Sequence, residues 1–289
     1  MSLRRTLLFV PGNNPGMLQN AGILGADSVI FDLEDAVVPR EKDAARLLIC
    51  QALTTIDYGI CEKVVRINPI DASAQKDIAA VVPCRPDAIL LPKAGSAQDV
   101  QQAAEWIKAS ETPDQPPVNI IALIETPLGI VNCFAIATSH PRVVAVALGA
   151  EDYAASLGMP RTNEGREIFT ARTLLVNAAA AAGVQAVDTP FTDVRDETGL
   201  AADTSLAKQL GFSGKLVINP RHVETIHQVF SPSAAEIDWA RRVVTAIKQA
   251  EAQGSGAVAL DGKMIDKPIV DRAERLLHLA LVLGLGGEA

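Results

Sequence analysis

The sequence has no long apolar segment and no concentration of positive charge. No run is hydrophobic enough over a sufficient length to span a bilayer, and the start, MSLRRTLLFVPG, lacks the spacing of a signal peptide. The 26 Lys and Arg residues are outnumbered by 34 Asp and Glu residues, so the net charge is −8, and there is no basic run. These absences predict a soluble cytoplasmic protein with no membrane segment and no nucleic-acid partner.

Cysteine and histidine are scarce and are not spaced as metal ligands. The cysteines, Cys50, Cys61, Cys84 and Cys133, stand singly without CxxC spacing, which predicts reduced thiols rather than disulfides or a zinc site. There is no HxH or HExxH motif, and the four histidines lie away from the predicted strand ends. The segment FVPGNNPG also lacks the GxGxxG of a dinucleotide fold, so that fold is not favoured.

The chain does contain a repeated alternation of short apolar runs and amphipathic, helix-length segments. The runs are TLLFVP, SVIFDLE, KVVRIN, AILLPK, NIIALIET, VVAVALGA, VQAVDTP and KLVINP. Continuous apolar runs are typical of strands buried on both faces, as in a parallel sheet. Eight strand and helix units in succession predict a closed (β/α)₈ TIM barrel over residues 1–230, because open doubly wound sheets usually have fewer strands.

Residues 231–289 are predicted to form a helical C-terminal extension that is too short for a core of its own. Its expected parts are a helix over residues 233–253, the turn AVALDGKMIDKP and a final helix over residues 268–284. Gly254, Gly256 and Gly262 suit a moving segment, so the extension is predicted to act as a lid.

Polar residues cluster at the carboxyl ends of the predicted strands, where barrel enzymes carry their chemistry. They are Asp32, Glu34, Asp35, Arg66, Asn68, Lys93, Glu125, Glu151, Asp152, Asp188 and Asn219. Glu125 and Asp152 end successive strands, and hard oxygen ligands with few protein donors favour Mg²⁺. The alternative is that such carboxylates only cap the following helix, which is preferred for Asp35 and Glu151.

Arg66 would supply fixed positive charge for a carboxylate, carbonyl or enolate oxygen of a substrate. The alternative for this arginine is a structural salt bridge.

Several segments, taken in order, carry a family resemblance across nearly the whole chain. They are RRTLLFVPGNNPGML, SVIFDLEDAVVPREKDAAR, VVRIN, ILLPKAG, IALIETPLGI, ALGAEDYAASLG, KLVINPRHV and DGKMIDKPIVDRA. Together they resemble the citrate lyase β-subunit family, which is related to malyl-CoA and citramalyl-CoA lyases. The resemblance implies a barrel that cleaves a carbon–carbon bond in a 3-hydroxyacyl thioester, carried by CoA or acyl carrier protein, to an acetyl or related thioester and a 2-oxoacid.

The resemblance also implies roles for particular residues. Glu125 and Asp152 would hold Mg²⁺, with Asp32 and Glu34 as outer groups beside the metal site, and Arg66 would bind substrate. Further substrate contacts are expected from Pro11, Gly12, Lys93 and Asn219.

In the extension, Asp266 would be the acid and base, while Asp261 forms the turn before Gly262 and Lys263 contacts the thioester carrier. Related proteins form homotrimers in which the lid of one subunit covers the barrel of its neighbour, and citrate lyase complexes add separate carrier and transferase subunits.

Two other functions stay open at this point. A thioester hydrolase could use the same Mg²⁺ and Asp266 to direct water at the thioester carbonyl. A non-catalytic subunit could only dock an acyl carrier protein.

Overall fold

The computed structural model describes residues 2–252 and 254–285. The chain divides into two compact units, residues 1–227 and residues 228–289. The predicted helix over residues 233–253 ends at Gln253, which lies outside the described residues. Within the described ranges, no helix has both the length and the apolar character needed to cross a membrane.

Eight parallel strands close into a barrel in the first unit, which confirms the predicted (β/α)₈ fold. The strands are β1 (Thr6–Pro11), β2 (Ser28–Asp32), β3 (Glu62–Arg66), β4 (Ala88–Leu91), β5 (Asn119–Ile124), β6 (Val143–Leu148), β7 (Gln185–Asp188) and β8 (Gly214–Val217). Closure is made by the pairing of β1 with β8, in which Leu7 lies opposite Leu216. Each predicted run coincides with one strand, and most of the runs extend past the strand into its carboxyl-terminal loop.

Helices follow the strands around the barrel. They are α1 (Pro15–Asn20), α2 (Lys42–Thr55), α3 (Ala72–Val81), α4 (Ala97–Ser110), α5 (Pro127–Val131), α6 (Cys133–Ala137), α7 (Ala150–Ser156), α8 (Phe169–Ala182), α9 (Glu197–Leu210) and α10 (His222–Phe230). Short 3₁₀ helices add Ala21–Leu24, Pro39–Glu41, Val82–Cys84 and Arg166–Ile168. Local sequence explains several helix starts, because Ser96 and Asp99 form a capping box at α4 and Thr126 caps α5 ahead of Pro127.

The barrel interior is filled by one apolar side chain or more from every strand. The cluster includes Leu7, Ile30, Val64, Leu90, Leu123, Ala147, Val187 and Leu216, all buried. Side chains alternate between the two faces of a strand, so the residue two positions further along also faces the interior, nearer the carboxyl-terminal mouth. Those positions hold Phe9, Asp32, Arg66, Pro92, Glu125, Gly149, Thr189 and Ile218. Above the apolar core, this next layer holds four polar side chains, those of Asp32, Arg66, Glu125 and Thr189, and they form the polar layer at the mouth.

The residues between the inward positions face the helices, and two of the fully buried ones are charged. Asp188 on β7 and Lys215 on β8 are fully buried, and the Lys215 Nζ lies 2.5 Å from Asp188 Oδ2. Arg172 of α8 donates to both Asp188 oxygens at 2.9 and 2.8 Å, and Asp203 of α9 accepts from Arg172 and Lys215 at 2.7 Å each. This buried ion cluster ties two strands to two helices, so Asp188 belongs to the scaffold and not to the polar layer at the mouth.

The second unit contains α11 (Ala234–Ala252), a hairpin of β9 (Val258–Leu260) and β10 (Lys263–Ile265), and α12 (Lys267–Val282). The hairpin was not predicted. Asp261 and Gly262 connect its strands with φ of 51° and 74°, as a two-residue type I′ turn requires. Gly262 therefore has a turn-forming role, and Asp261 has the predicted one, reinforced by Arg242 Nη2 at 2.5 Å.

The extension also has a small apolar cluster, contrary to the expectation that it would lack a core. Ala240, Val243, Ile265 and Ala273 are buried there.

Candidate active site

A cavity of about 510 Å³ lies at the carboxyl-terminal mouth of the barrel. All of the residues that line it belong to the barrel unit. Five of them were predicted as site residues: Pro11, Asp32, Arg66, Glu125 and Asp152. The strand register brings these residues together, because four of them end a strand or directly follow one, and Asp152 lies in the first turn of the helix after β6.

Arg66 is held rigidly at the mouth. Its Nε and Nη2 donate to the two carboxylate oxygens of Asp32 at 2.7 and 2.6 Å, and its guanidinium carbon lies 4.8 Å from the centre of the Phe9 ring. Burial works against its charge, but Asp32 and two further carboxylates outweigh burial and raise the pKa of Arg66. The structural salt bridge and the functional interpretation are therefore compatible, since Arg66 is fixed by Asp32 and still lines the cavity.

Asp32 has no capacity left for a metal ion. Besides Arg66, its two oxygens accept the backbone N–H groups of Glu34 at 2.8 Å and Ala36 at 3.1 Å. A carboxylate offers about four lone-pair sites, and four donors occupy them here. Asp32 can thus act only as the predicted outer group, orienting Arg66.

Glu34 is buried between the two cations of the mouth. Its Oε1 accepts from Lys93 Nζ at 2.8 Å, and its Oε2 lies 2.8 Å from Arg66 Nη1 in an ion pair that is not aligned as a hydrogen bond. Burial, followed by a side-chain hydrogen bond with Asp35, raises the pKa of Glu34. Glu34 therefore links Arg66 to Lys93 through one carboxylate.

Glu125 is 4% exposed, although it lines the cavity. Its Oε1 accepts the backbone N–H of Lys93 at 2.7 Å. Burial raises the pKa of Glu125 to about 7, and this single N–H only partly opposes the effect. Ionising Glu125 is therefore unfavourable unless a cation compensates the charge.

Asp152 lies in the first turn of α7, the helix that follows the neighbouring strand β6, and is only half-buried. Its Oδ2 is 3.4 Å from Lys93 Nζ. Burial opposes the charge on Lys93, but its hydrogen bond with Glu34 and the surrounding carboxylates raise the pKa of Lys93. Three acidic side chains of the mouth thus contact one lysine.

The donor set fits a magnesium ion. Over residues 2–252 and 254–285, no group of three or more His, Cys, Asp or Glu residues is placed to hold a metal. Glu125 and Asp152 offer two hard oxygen donors, and Mg²⁺ is commonly held by one or two carboxylates with water and substrate as its other ligands. The raised pKa of Glu125 marks the carboxylate whose charge such an ion would offset.

Gly149 makes room for Glu125, which gives a testable consequence. A Cβ atom at position 149 would lie 2.6 Å from Glu125 Cβ and 2.7 Å from Glu125 Oε2, so Gly149→Ala must displace the carboxylate. We expect a loss of Mg²⁺ affinity of about tenfold or more and a destabilisation of roughly 1–3 kcal/mol from overpacking. Calorimetric Mg²⁺ titration and urea unfolding measure the two effects.

The matched control for this variant is Gly16→Ala, because the nearest neighbour of its added Cβ would be Asn14 Oδ1 at 3.6 Å. It should bind Mg²⁺ as the unmodified protein does. Equal Mg²⁺ affinity in the Gly149→Ala protein would show that Glu125 does not bind the ion.

Several residues predicted for the site are placed elsewhere or have another role. Gly12 is buried, and a Cβ there would lie 2.5 Å from the Asp32 carbonyl oxygen, so its close packing explains the glycine. Asn219 Oδ1 accepts the Arg221 N–H at 3.0 Å within a turn, and Asn68 is bonded to the buried Asp77 at 2.6 Å. Substrate binding by Gly12, Lys93 and Asn219 stays a prediction.

Asp266 belongs to the second unit, where it precedes α12 as its N-cap residue. Its backbone is extended, with φ −130° and ψ −179°, yet its side chain makes no capping hydrogen bond. The capping alternative for this carboxylate is therefore not favoured.

Thr189 and Phe9 are among the cavity residues that sequence reasoning missed. Thr189 lines the cavity and accepts the Ala150 N–H at 3.2 Å, and Phe9 packs beneath Arg66. Alternation along the strands was the available signal, since Thr189 follows the inward-facing Val187 by two positions. Glu151, assigned to a capping role, lies in the first turn of α7, pairs with Arg161 at 2.9 Å and also lines the cavity.

The barrel and the charged layer at its mouth define the chain as an enzyme of the (β/α)₈ class. More particularly, the chain belongs to the HpcH/HpaI aldolase/citrate lyase family, whose model matches residues 5–220. This confirms the resemblance to the citrate lyase β subunit and the prediction of a lyase.

Among the relatives is the citrate lyase subunit beta of Leuconostoc mesenteroides subsp. cremoris, which is 46% identical over 282 residues, 96% of this chain and 93% of that protein. A (3S)-malyl-CoA thioesterase of Cereibacter sphaeroides is 37% identical over 98% of this chain and 96% of its own length.

Among solved structures, the CitE protein of Mycobacterium tuberculosis was crystallised with magnesium, acetoacetate and coenzyme A. It is 32% identical, with a TM-score of 0.80, and the match covers 96% of this chain and 98% of that one. The magnesium in that structure supports the predicted Mg²⁺ requirement of the family.

Proposed function

We propose that this chain is an Mg²⁺-dependent lyase that cleaves the carbon–carbon bond of a 3-hydroxyacyl thioester of the citryl type. The products are an acetyl or related thioester and a 2-oxoacid. The observation that carries the proposal is the shared cavity, in which Arg66, held by Asp32, faces the carboxylates of Glu125 and Asp152. The 46% identity to a citrate lyase subunit beta supports the citryl type over the malyl and citramalyl types.

The arrangement suits retro-aldol cleavage, which needs the substrate alcohol deprotonated and the charge on the thioester enolate stabilised. Mg²⁺, held by Glu125 and Asp152, would acidify the alcohol and polarise the adjacent carboxylate. Arg66 supplies a fixed cation for the enolate oxygen, and because Asp32 and Phe9 already orient it, little reorganisation is required as the charge develops.

Asp266 is proposed as the acid and base: its carboxylate would take the proton of the substrate alcohol and, once the carbon–carbon bond has broken, deliver that proton to the enolate carbon. Its half-buried side chain makes no capping bond with α12, so the carboxylate is available for this role. We further propose that the extension acts as a lid on the barrel of a neighbouring copy within a homotrimer.

The thioester carrier is either CoA or an acyl carrier protein. The CitE structure contains coenzyme A, whereas the Leuconostoc relative is named as one subunit of citrate lyase. We propose a CoA-type thioester as the minimal substrate. If the chain works in a citrate lyase complex, we expect separate carrier and transferase subunits, with Lys263 in contact with the thioester carrier. The cytoplasm remains the predicted location.

A second candidate function is thioester hydrolysis, which is supported by the 37% identity to a (3S)-malyl-CoA thioesterase. The same ion and Asp266 would then direct water at the thioester carbonyl. The third alternative, a subunit that only docks a carrier, is less well supported because the mouth retains its arginine and both acidic ligands.

The products distinguish these functions. Purified protein is incubated with citryl-CoA, citramalyl-CoA or malyl-CoA and Mg²⁺, and the 2-oxoacid and the free thiol are measured separately. A lyase releases 2-oxoacid without free thiol and is inactive in EDTA, because the substrate loses its Lewis acid. Free thiol without 2-oxoacid identifies the hydrolase, and full cleavage in EDTA would exclude the metal mechanism.

A further inference from the structure

Lys93 contacts both proposed metal ligands, Glu125 and Asp152, and also the buried Glu34. Its backbone N–H donates to Glu125 Oε1 at 2.7 Å, and its Nζ lies 2.8 Å from Glu34 Oε1 and 3.4 Å from Asp152 Oδ2. Among the described residues, Lys93 is the only Lys or Arg that forms an ion pair with Asp152. The Lys93 ammonium is thus the positive charge that is paired with Asp152, one of the two proposed metal ligands.

The backbone of Lys93 is adapted to this position. Its φ is 51°, in the left-handed region that side chains other than Gly and Asn rarely adopt. This conformation directs the N–H at Glu125, while the same residue sends its ammonium to Glu34 and Asp152. A glycine would allow the backbone contact more easily. The lysine at this position adds the contacts of its ammonium with Glu34 and Asp152.

The other cations of the mouth cannot take that role. Arg66 is committed to Asp32 through two hydrogen bonds and to Glu34 through an ion pair. Arg161 pairs with Glu151 and Glu167.

We propose that the Lys93 ammonium is the internal counter-ion of the metal-free site and competes with Mg²⁺ for Asp152, so that Lys93 sets the metal affinity. The inference rests on the proposed function, because it takes Glu125 and Asp152 as the metal ligands. Two cations cannot share one carboxylate oxygen without strong repulsion. Glu34, which already accepts from Nζ at 2.8 Å, can retain the ammonium when Asp152 turns to the ion. The negative charges of Glu34 and Asp152 are thereby each balanced by a cation, both in the metal-free protein and with Mg²⁺ bound.

The test measures Mg²⁺ binding rather than turnover. Metal-free protein is titrated with MgCl₂ in a calorimeter, comparing the unmodified chain with Lys93→Met, Lys93→Arg and Lys42→Met. We expect Lys93→Met to bind Mg²⁺ about tenfold more tightly or better, because a competing charge at contact distance is gone. Lys93→Arg keeps the charge and should stay within about threefold of the unmodified protein.

Lys42→Met is the matched control. It removes the same charge from the same face, but Lys42 donates to the neutral amide of Asn68. Its effect on Mg²⁺ affinity should stay below about twofold, because a charge at a distance is screened at physiological salt.

A second measurement separates the ammonium from the backbone. Lys93→Gly keeps the positive φ and the N–H to Glu125, but it removes the cation paired with Asp152 and leaves Glu34 with Arg66 alone. In EDTA, both Lys93→Gly and Lys93→Met should melt at a lower temperature than the unmodified protein, and saturating Mg²⁺ should reduce the difference.

Equal or weaker Mg²⁺ binding by Lys93→Met and Lys93→Gly would overturn the inference and leave Lys93 as a positioning residue for Glu125. Tighter binding by Lys42→Met to the same extent would also overturn it, because the effect would then be one of net charge. If the unmodified protein binds no Mg²⁺, the proposed function itself fails, and this outcome is distinct from the other two.

Discussion

The Asp266→Asn variant is expected to lose carbon–carbon cleavage by a factor of about 10²–10⁴, the usual contribution of a general acid or base. Asparagine has nearly the same shape but cannot carry the proton. Mg²⁺ affinity and oligomer size should be unchanged, because Asp266 is not among the residues that line the cavity and its side chain does not cap α12. Steady-state release of 2-oxoacid and Mg²⁺ titration are the two measurements.

Mixing two inactive proteins tests whether Asp266 acts on a neighbouring copy. Glu125→Gln should be inactive because it loses a charged metal ligand. If Asp266→Asn and Glu125→Gln subunits exchange, some interfaces pair an intact lid with an intact barrel, and activity should reappear. Mixtures that remain inactive would place the lid over its own barrel. Full activity in the Asp266→Asn protein alone would remove Asp266 from the mechanism.

The largest effect on stability is expected at the buried ion cluster behind β7 and β8. Lys215→Met leaves Asp188 and Asp203 with Arg172 as their sole cation in the cluster, and removing one partner of a buried ion pair typically costs about 3–5 kcal/mol. Urea unfolding should show a lower midpoint with an unchanged slope. Lys108→Met on the exposed side of α4 is the control and should change the free energy of unfolding by less than about 0.5 kcal/mol.

A second substitution in the same cluster should partly restore stability. Lys215→Met with Asp203→Asn leaves one arginine and one aspartate, so the cluster is again neutral. Because these residues share partners, their effects should not add, and the double variant should be more stable than Lys215→Met alone. An additive result would mean that packing, not charge balance, accounts for the loss.

The fold was predictable because it depends on features that repeat along the chain. Each apolar run matched one strand, since both faces of a barrel strand are buried and the run itself carries the signal. The hairpin at Val258–Ile265 was missed because its strands are only three residues each, although Asp261 and Gly262 are a common hairpin signal. The apolar cluster of the extension was missed for the same reason, because Ile265 comes from that hairpin.

The sequence predicted which residues belong to the site better than it predicted what each of them does there. Charged residues at strand ends were identified, and Arg66, Glu125 and Asp152 do line one cavity. The direction of each side chain depends on strand alternation, which separates Asp188 from its neighbour Thr189. The pairing of Arg66 with Asp32 and the position of Lys93 between three carboxylates depend on the closed barrel, which brings distant segments together and is not visible in any local pattern.

The opposite orientations of residues 188 and 189 have a practical consequence for protein engineering. Position 189 lies against the cavity and can be varied in a library that searches for altered acyl preference. Position 188 has its side chain among Arg172, Lys215 and the α8 and α9 helices, so random changes there would mainly yield insoluble clones. A library that treats the AVDTP segment as one block would confuse loss of expression with loss of substrate recognition, whereas one that fixes Asp188 would report on recognition alone.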